Sequence, residues 1–258
     1  MEHIMIKKII LASLFISQVF ALTPFEVATN VKKSSDGYGS SKSILEMVLI
    51  DQAKNKSKRI MESISFENKN HYGINGDKSL MEFKTPLDVK GTKFLTHEKI
   101  NKNNNQWLYL PALKRIKRIT SKNKSGSFMG SEFSYEDISS REPSKYTYST
   151  RTEDSKIGNI DVYKYERYPK DKNSGYSKQI LFVDKTKFVI LKVEFFDKKN
   201  ELLKTAKYTY RKIKNIYRVA KIQMSNHQNL KSTTLIYVKD DIKLNLDEKL
   251  FSKRYLKD

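Results

Sequence analysis

The chain has 258 residues, with 50 Lys and Arg against 29 Asp and Glu, a formal net charge of +21, and no cysteine. Fifteen tyrosines and thirteen phenylalanines beside nine glycines and five prolines exclude a disordered chain, because that much apolar surface can fill a core. The charge raises the prior for an anionic partner, although the lysines are spread evenly enough to be an ordinary solvated surface.

Lys7 and Lys8 precede the apolar run "IILASLFISQVF", followed by "ALTPFE". A positive start, a short apolar segment and small residues at Val19 and Ala21 form the pattern of a secretory signal peptide over 1–21, with cleavage between Ala21 and Leu22. The run falls short of the ~20 residues that span a bilayer. Residues 22–258 are then expected as one domain, exported, soluble, and free of disulfides or a cysteine-borne lipid. Next, Thr23, Pro24 and Glu26 predict a helix opened by a capping box, and Gly37 and Gly39 its end. The stretch 43–66 admits a helix capped by Ser43 and Glu46, but "RIMESISF" reads as a returning strand and favours a hairpin across "QAKNKS".

Beyond it the signals are β: "LMEFKT", "KGTKFLTHEK", "QWLYL", "IDVYKYERY", "KQILFVD", "KFVILKVEFFD", "LLKTAKYTYRKI", "YRVAKIQM" and "STTLIYV", separated by polar turns such as "NKNNN" and "DKKN". About ten such strands imply one strongly curved antiparallel sheet or a barrel, with few helices. Several strands are apolar on both faces. In "KFVILKVEFFD", Val189, Leu191, Val193 and Phe195 alternate with Phe188, Ile190 and Phe196, and Trp107 and Tyr109 with Leu108 and Leu110. Both faces therefore need cover, either from a second layer or from a ligand in an apolar cavity.

Catalytic patterns are sparse. His71, His97 and His227 share no metal-ligand spacing, and the pairs Glu136/Asp137 and Glu153/Asp154 are expected in solvated loops. A non-enzymatic protein without metal or cofactor is the expectation. Alternating aromatics and lysines in "YKYERY" and "KYTYRK" keep a polyanion or nucleic-acid binding module as an alternative, against which the export signal counts.

The stretches "MEFKTPLDVKGTKFLTHEK" and "NNQWLYLPALKRIKRITSKNKSGSFMGSEFSYEDI" resemble the bacterial outer membrane lipoprotein-sorting protein family, in the superfamily of the periplasmic lipoprotein carrier LolA. Pro86, Gly91, Thr92, Trp107, Leu110, Pro111, Phe128, Met129, Gly130, Tyr135, Glu136 and Asp137 stand in the family's order, and the resemblance extends over nearly all of the chain after residue 21. It implies a half-open barrel, an antiparallel sheet around a hydrophobic cavity with helices and loops as a lid. It also implies a periplasmic carrier or chaperone that moves acylated lipoprotein or lipid between inner and outer membrane without catalysis. The implied partners are that cargo, an RND/MMPL-type inner-membrane transporter, an outer-membrane acceptor and transient membrane-surface contact, with no nucleic acid. A cargo-free adaptor subunit of such an export system is the alternative. Candidate cavity residues are Leu95, Trp107, Phe128, Met129, Phe133, Val189, Leu191, Val193 and Phe195, with Met129 suited to an irregular ligand surface. Lys114, Arg115, Lys117 and Arg118, in "YLPALKRIKRIT", are candidates for a basic rim that meets headgroups or an acidic partner. The segment "TSKNKSGSFMGSEFSYEDI" is expected as a loop that carries Phe128, Met129 and Phe133 into the concavity or plugs it permanently.

Overall fold

A computed structural model describes residues 22–68, 75–139 and 142–257. The signal-peptide reading and His71 lie outside the described residues. Among the described residues one α-helix, α1 (Pro24–Ser35), precedes fourteen strands. These are β1 (Ser40–Ile50), β2 (Lys56–Phe66), β3 (Asn75–Thr85), β4 (Lys93–Lys99), β5 (Asn105–Leu110), β6 (Arg115–Ile119) and β7 (Tyr146–Tyr148). They continue with β8 (Glu153–Ile157), β9 (Ile160–Pro169), β10 (Lys178–Asp184), β11 (Ile190–Phe196), β12 (Leu202–Ile213), β13 (Ile216–Asn226) and β14 (Ser232–Ile242).

All join one antiparallel sheet, ordered β6-β5-β4-β3-β2-β1-β14-β13-β12-β11-β10-β9-β7, with β8 paired to β9. The sheet does not close: β6 is its free edge at one end, and β7 and β8, both paired to β9, share the edge at the other. The half-open barrel expected from the resemblance is therefore the fold, and the hairpin reading of 43–66 is correct: β1 and β2 pair from Ser40↔Phe66 to Ile50↔Lys56. The helix begins as the sequence dictates. The Thr23 hydroxyl accepts from the Glu26 amide, and the Glu26 carboxylate accepts from the Thr23 amide at 2.8 Å.

The inner face carries the main core. Leu45 and Met47 of β1, Met61 of β2, Phe83 of β3, Phe94 of β4 and Leu108 of β5 meet Leu181, Val193, Phe195, Tyr208, Met224 and Leu235 from β10 to β14, together with Val27 and Ala28 of α1. The outer face is covered in two ways, which accounts for strands that are apolar on both sides. Over β3 to β5, Leu80 and Leu95 are buried with Phe251 and Leu256, which belong to 3-10 turns near the C-terminus. Over β10 and β11 the cover is lysine: the Lys192 ammonium sits 3.8 Å from the Phe182 ring centroid, with Lys178 over Phe196. The ammonium groups lie over the ring faces and pair with Glu166 and Glu194, each at 2.8 Å. Part of the lysine content thus has a structural use.

Candidate functional site

Two pieces of chain cover the inner face. The first is α1, whose completely or nearly completely buried apolar side chains besides Pro24 are Val27 and Ala28. It is tied down by Ser34, whose hydroxyl donates to the Phe188 carbonyl at 2.9 Å, by a Lys32–Glu142 pair at 3.0 Å, and by Thr152, which donates to the Leu22 carbonyl. It does not seat flush: a cavity of about 200 Å³ remains between it and the sheet, lined by Val31, Ser34, Val189, Tyr210, Tyr217 and Tyr237 among others.

The second cover is the segment between β6 and β7. Its tip is a tight turn in which the Ser131 amide donates to the Phe128 carbonyl at 3.0 Å, and both central residues are left-handed, Met129 at φ 52° and Gly130 at φ 75°. Glycine meets that requirement without strain, and the turn drives Phe128 inward, fully buried against Phe83, Phe94 and Tyr135, with ring centroids 5.1 Å apart for Phe94. Arg59 donates to the Met129 carbonyl. Deeper in, Asp137 is the anchor. It receives Lys204 Nζ at 2.7 Å, the Tyr176 hydroxyl at 2.9 Å and the Ser134 amide at 2.8 Å. Lys204 also donates to the Glu132 carbonyl, and Glu136 accepts from Ser174 and Gly175. Lys204 holds the Asp137 carboxyl below the ordinary aspartate range although burial pushes the other way, whereas burial raises Glu136. The expectation of a solvated Glu136/Asp137 pair is overturned, because the segment that bears them is folded into the barrel. Sequence gave no sign of the partner, 67 residues away.

The sequence-derived candidates do not gather in one place. Phe128, Phe133, Val193 and Phe195 are buried in the main core, with Met129 packed against it. Val189 lines the space beneath α1. Leu191 is half-buried at a register shift in the β10–β11 pairing, where Val183 faces Ile190 and Phe182 faces Lys192. That extra residue gives the inner position to Ile190 and takes Leu191 out of the Val193, Phe195 set. Leu95 and Trp107 lie on the outer face, in the cluster with Phe251 and Leu256. Strand alternation forces this, since their neighbours Phe94 and Leu108 face inward.

The basic stretch splits similarly. Pro111–Leu113 is a 3-10 turn, Lys114 is left-handed at φ 47°, and β6 follows as an exposed edge strand. Arg115 and Lys117 pair across from Leu110 and Leu108 on the inner side, while Arg118 pairs with Trp107 on the outer side and donates to Asn105 at 3.0 Å. Charges on an edge strand also guard it against pairing with another chain. Beside them is a feature that composition hides: Leu113 is 68% exposed and Leu87, in the β3–β4 turn, 86%. The two turns touch, since a β-carbon on Gly91 would stand 3.6 Å from Pro111 Cγ. The two free edges of the sheet, in turn, face a polar cavity of about 710 Å³ lined by Gln106 and Ile119 on one side and Tyr146 and Pro169 on the other. Among the described residues no cluster of His, Asp or Glu is placed to hold a metal, and no helix is long and apolar enough to cross a membrane.

Comparison with known proteins supplies the remaining findings. A family profile described as "Uncharacterized protein" matches residues 75–258. The comparison with curated proteins returns no match. Among solved structures, the chain is similar to an outer membrane lipoprotein-sorting protein domain from Vibrio parahaemolyticus, at 43% identity over 91% of this chain and 98% of that one, with a TM-score of 0.86. A DUF1329 family protein from Desulfovibrio piger is 26% identical, covering 90% and 97% of the two chains, with a TM-score of 0.84. A LolA superfamily protein from Nitrosomonas europaea shares the fold at 20% identity and a TM-score of 0.71, over 91% and 100%.

Proposed function

Since the chain belongs to the outer membrane lipoprotein-sorting protein family and has the LolA superfamily fold, we propose that it is a periplasmic carrier whose inner face receives the acyl chains of a lipoprotein or lipid. The reading includes removal of residues 1–21 and delivery of the cargo, without covalent chemistry, from an inner-membrane donor of RND/MMPL type to an outer-membrane acceptor.

The observation that carries it is the light cover over a large apolar face. Burial of Val27 and Ala28 is worth roughly 3 kcal/mol of transfer free energy, to which the partly buried Val31 and the Ser34, Lys32–Glu142 and Thr152 contacts add. Each methylene of an acyl chain contributes about 0.8 kcal/mol on leaving water, so about four methylenes offset the burial of those two side chains and the rest of a long chain is set against the tethers. The space already present under α1 lowers that cost further. Release needs no chemistry either, because loading and unloading exchange one apolar surface for another while α1 opens and closes. The segment around Phe128 is pinned by a buried ion pair and stays in place as the floor of the site. Leu87 and Leu113, with Lys90, Lys114, Arg115 and Lys117 exposed around them, suit a tip that touches an anionic bilayer while cargo transfers.

The test is photocrosslinking. The chain without residues 1–21 is incubated with vesicles of phosphatidylglycerol and phosphatidylethanolamine that contain a phospholipid with a diazirine in its acyl chain, then irradiated and digested. Label on peptides that contain Val27, Phe128, Val193 or Phe195 supports the reading. Label confined to the Trp107 and Phe251 side, or none above a non-binding control protein, refutes it.

A further inference from the structure

Independently of any acyl cargo, the polar cavity at the sheet's open seam gathers lysines from both of its walls. Its volume is about 710 Å³, and its walls carry Lys102, Lys124, Lys145, Lys170 and Lys172 against two carboxylates, Glu136 and Asp171. Both carboxylates are already engaged. Asp171 takes Lys124 Nζ at 2.6 Å and the Asn173 amide at 2.9 Å, and Glu136 takes the Ser174 hydroxyl and the Gly175 amide, each at 2.8 Å. Lys170 donates to the Ser144 carbonyl at 2.8 Å, and Lys145 to the Asn104 side-chain oxygen at 2.6 Å. Lys102 and Lys172 enter no ion pair among the described residues. The cavity therefore holds an excess of ammonium groups over carboxylates, with side-chain amides of Asn101, Asn103 and Asn173 as further donors.

The arrangement leaves positive charge facing the cavity without a full set of counter-charges. Burial pushes the Lys145 ammonium below the ordinary lysine range, and the nearby Lys124 pushes the same way against Glu98 and Glu142. Lysines gathered around one polar space repel one another unless an anion enters it. A tetrahedral oxyanion suits the geometry, since it can accept from both walls at once and lysine binds phosphate as a point charge. We propose that the seam cavity binds a phosphate-bearing group, contributed by β4–β5 and the segment after β6 on one wall and by Lys145 and the β9–β10 turn on the other. The two sources of that chemistry are a phospholipid headgroup and a soluble phosphate ester or phosphate ion. Because Ile119 belongs both to this cavity and to the main core, a headgroup here would stand beside the acyl-facing interior.

Amide NMR on uniformly 15N-labelled protein decides it, in two arms: inorganic phosphate, and dihexanoyl phosphatidylglycerol kept below its micelle concentration. Saturable shifts at Asn101, Lys102, Asn103, Asn104 and at Lys170, Asp171, Lys172, Asn173 in either arm support the site. Shifts in the phosphate arm alone, or equally in both, assign it to soluble phosphates, and shifts confined to or much tighter in the lipid arm assign it to headgroups. The variant Lys102→Gln with Lys172→Gln alters two exposed side chains, keeps its fold by its own spectrum, and should weaken binding about tenfold or more. Absence of saturable shifts in both arms overturns the proposal. So do shifts scattered over lysines across the surface, or affinity unchanged in the double variant.

Discussion

Replacing Lys204 by methionine tests how the inner segment is held. The Lys204 and Asp137 side chains are 5% and 3% exposed and 2.7 Å apart, so the substitution leaves a carboxylate with no counter-charge inside the barrel. Breaking a buried pair from one side costs about 3–5 kcal/mol. An independent limit agrees: the stranded carboxyl can escape by taking a proton, which for a group of ordinary pKa costs roughly 4 kcal/mol at pH 7. For a domain of this length the melting temperature falls by about 2–4 °C per kcal/mol, so Lys204→Met should melt about 6–20 °C lower. The pH dependence has a definite sign. In the natural protein the Asp137 carboxyl is held below its unfolded value, so its stabilisation is present above that value and is lost as pH falls through the lower, folded one. In the variant, burial without the lysine raises the carboxyl, and the penalty shrinks as pH falls. Urea unfolding should therefore show the gap between the two proteins narrowing from pH 7 towards pH 4. Adding Asp137→Asn to Lys204→Met, which keeps an acceptor for Tyr176 and Ser134, should recover at least half of the loss. A single variant within about 1 kcal/mol of the natural protein, or a gap independent of pH, would refute the anchoring role, since either lies outside what a stranded buried charge allows.

Phe128→Asp should lower retention of an acylated fluorophore after vesicle removal, because a desolvated carboxylate would face the chains, whereas Phe128→Leu should retain it; equal loss in both would point to misfolding alone. Leu87→Ser with Leu113→Ser should weaken sedimentation with anionic vesicles about tenfold, independently of salt. Neutralising Lys114, Arg115, Lys117 and Arg118 together should instead remove the salt-sensitive part of that association, at about 1 kcal/mol for each group near the surface. His97, held below its ordinary pKa chiefly by burial and in contact with the Phe251 carbonyl at 2.6 Å, binds a proton less readily folded than unfolded. Stability is therefore expected to fall as pH drops below the ordinary histidine value of about 6.5, and His97→Gln to flatten that slope in calorimetric melts.

Local chemistry made the elements readable. The Thr23–Glu26 box and Pro24 placed the helix, and branched and aromatic runs placed the strands, because both signals act over a few residues. The candidate site was less legible for three physical reasons. Alternation groups side chains by face without saying which face is concave, so Leu95 and Trp107 were grouped with Phe128 although they lie opposite it. A single register shift in the β10–β11 pairing moved Leu191 out of phase with Val193 and Phe195, and nothing in "KFVILKVEFFD" marks it. Contacts between distant segments, such as Asp137 with Lys204 or Leu95 with Phe251, leave no periodic trace in a single sequence. The seam cavity is the same case, since its lysines come from four separate stretches of a uniformly lysine-rich chain.

Native mass spectrometry of the protein purified from its own host, sprayed from a gentle detergent-free buffer and then activated to release any ligand, tests the central claim most directly. The account predicts a population carrying one acylated polypeptide or lipid per chain, with the cargo lost on activation without covalent modification of the protein. A protein that arrives uniformly empty, and stays empty after incubation with vesicles made from the host's own lipids and lipoproteins, would contradict it.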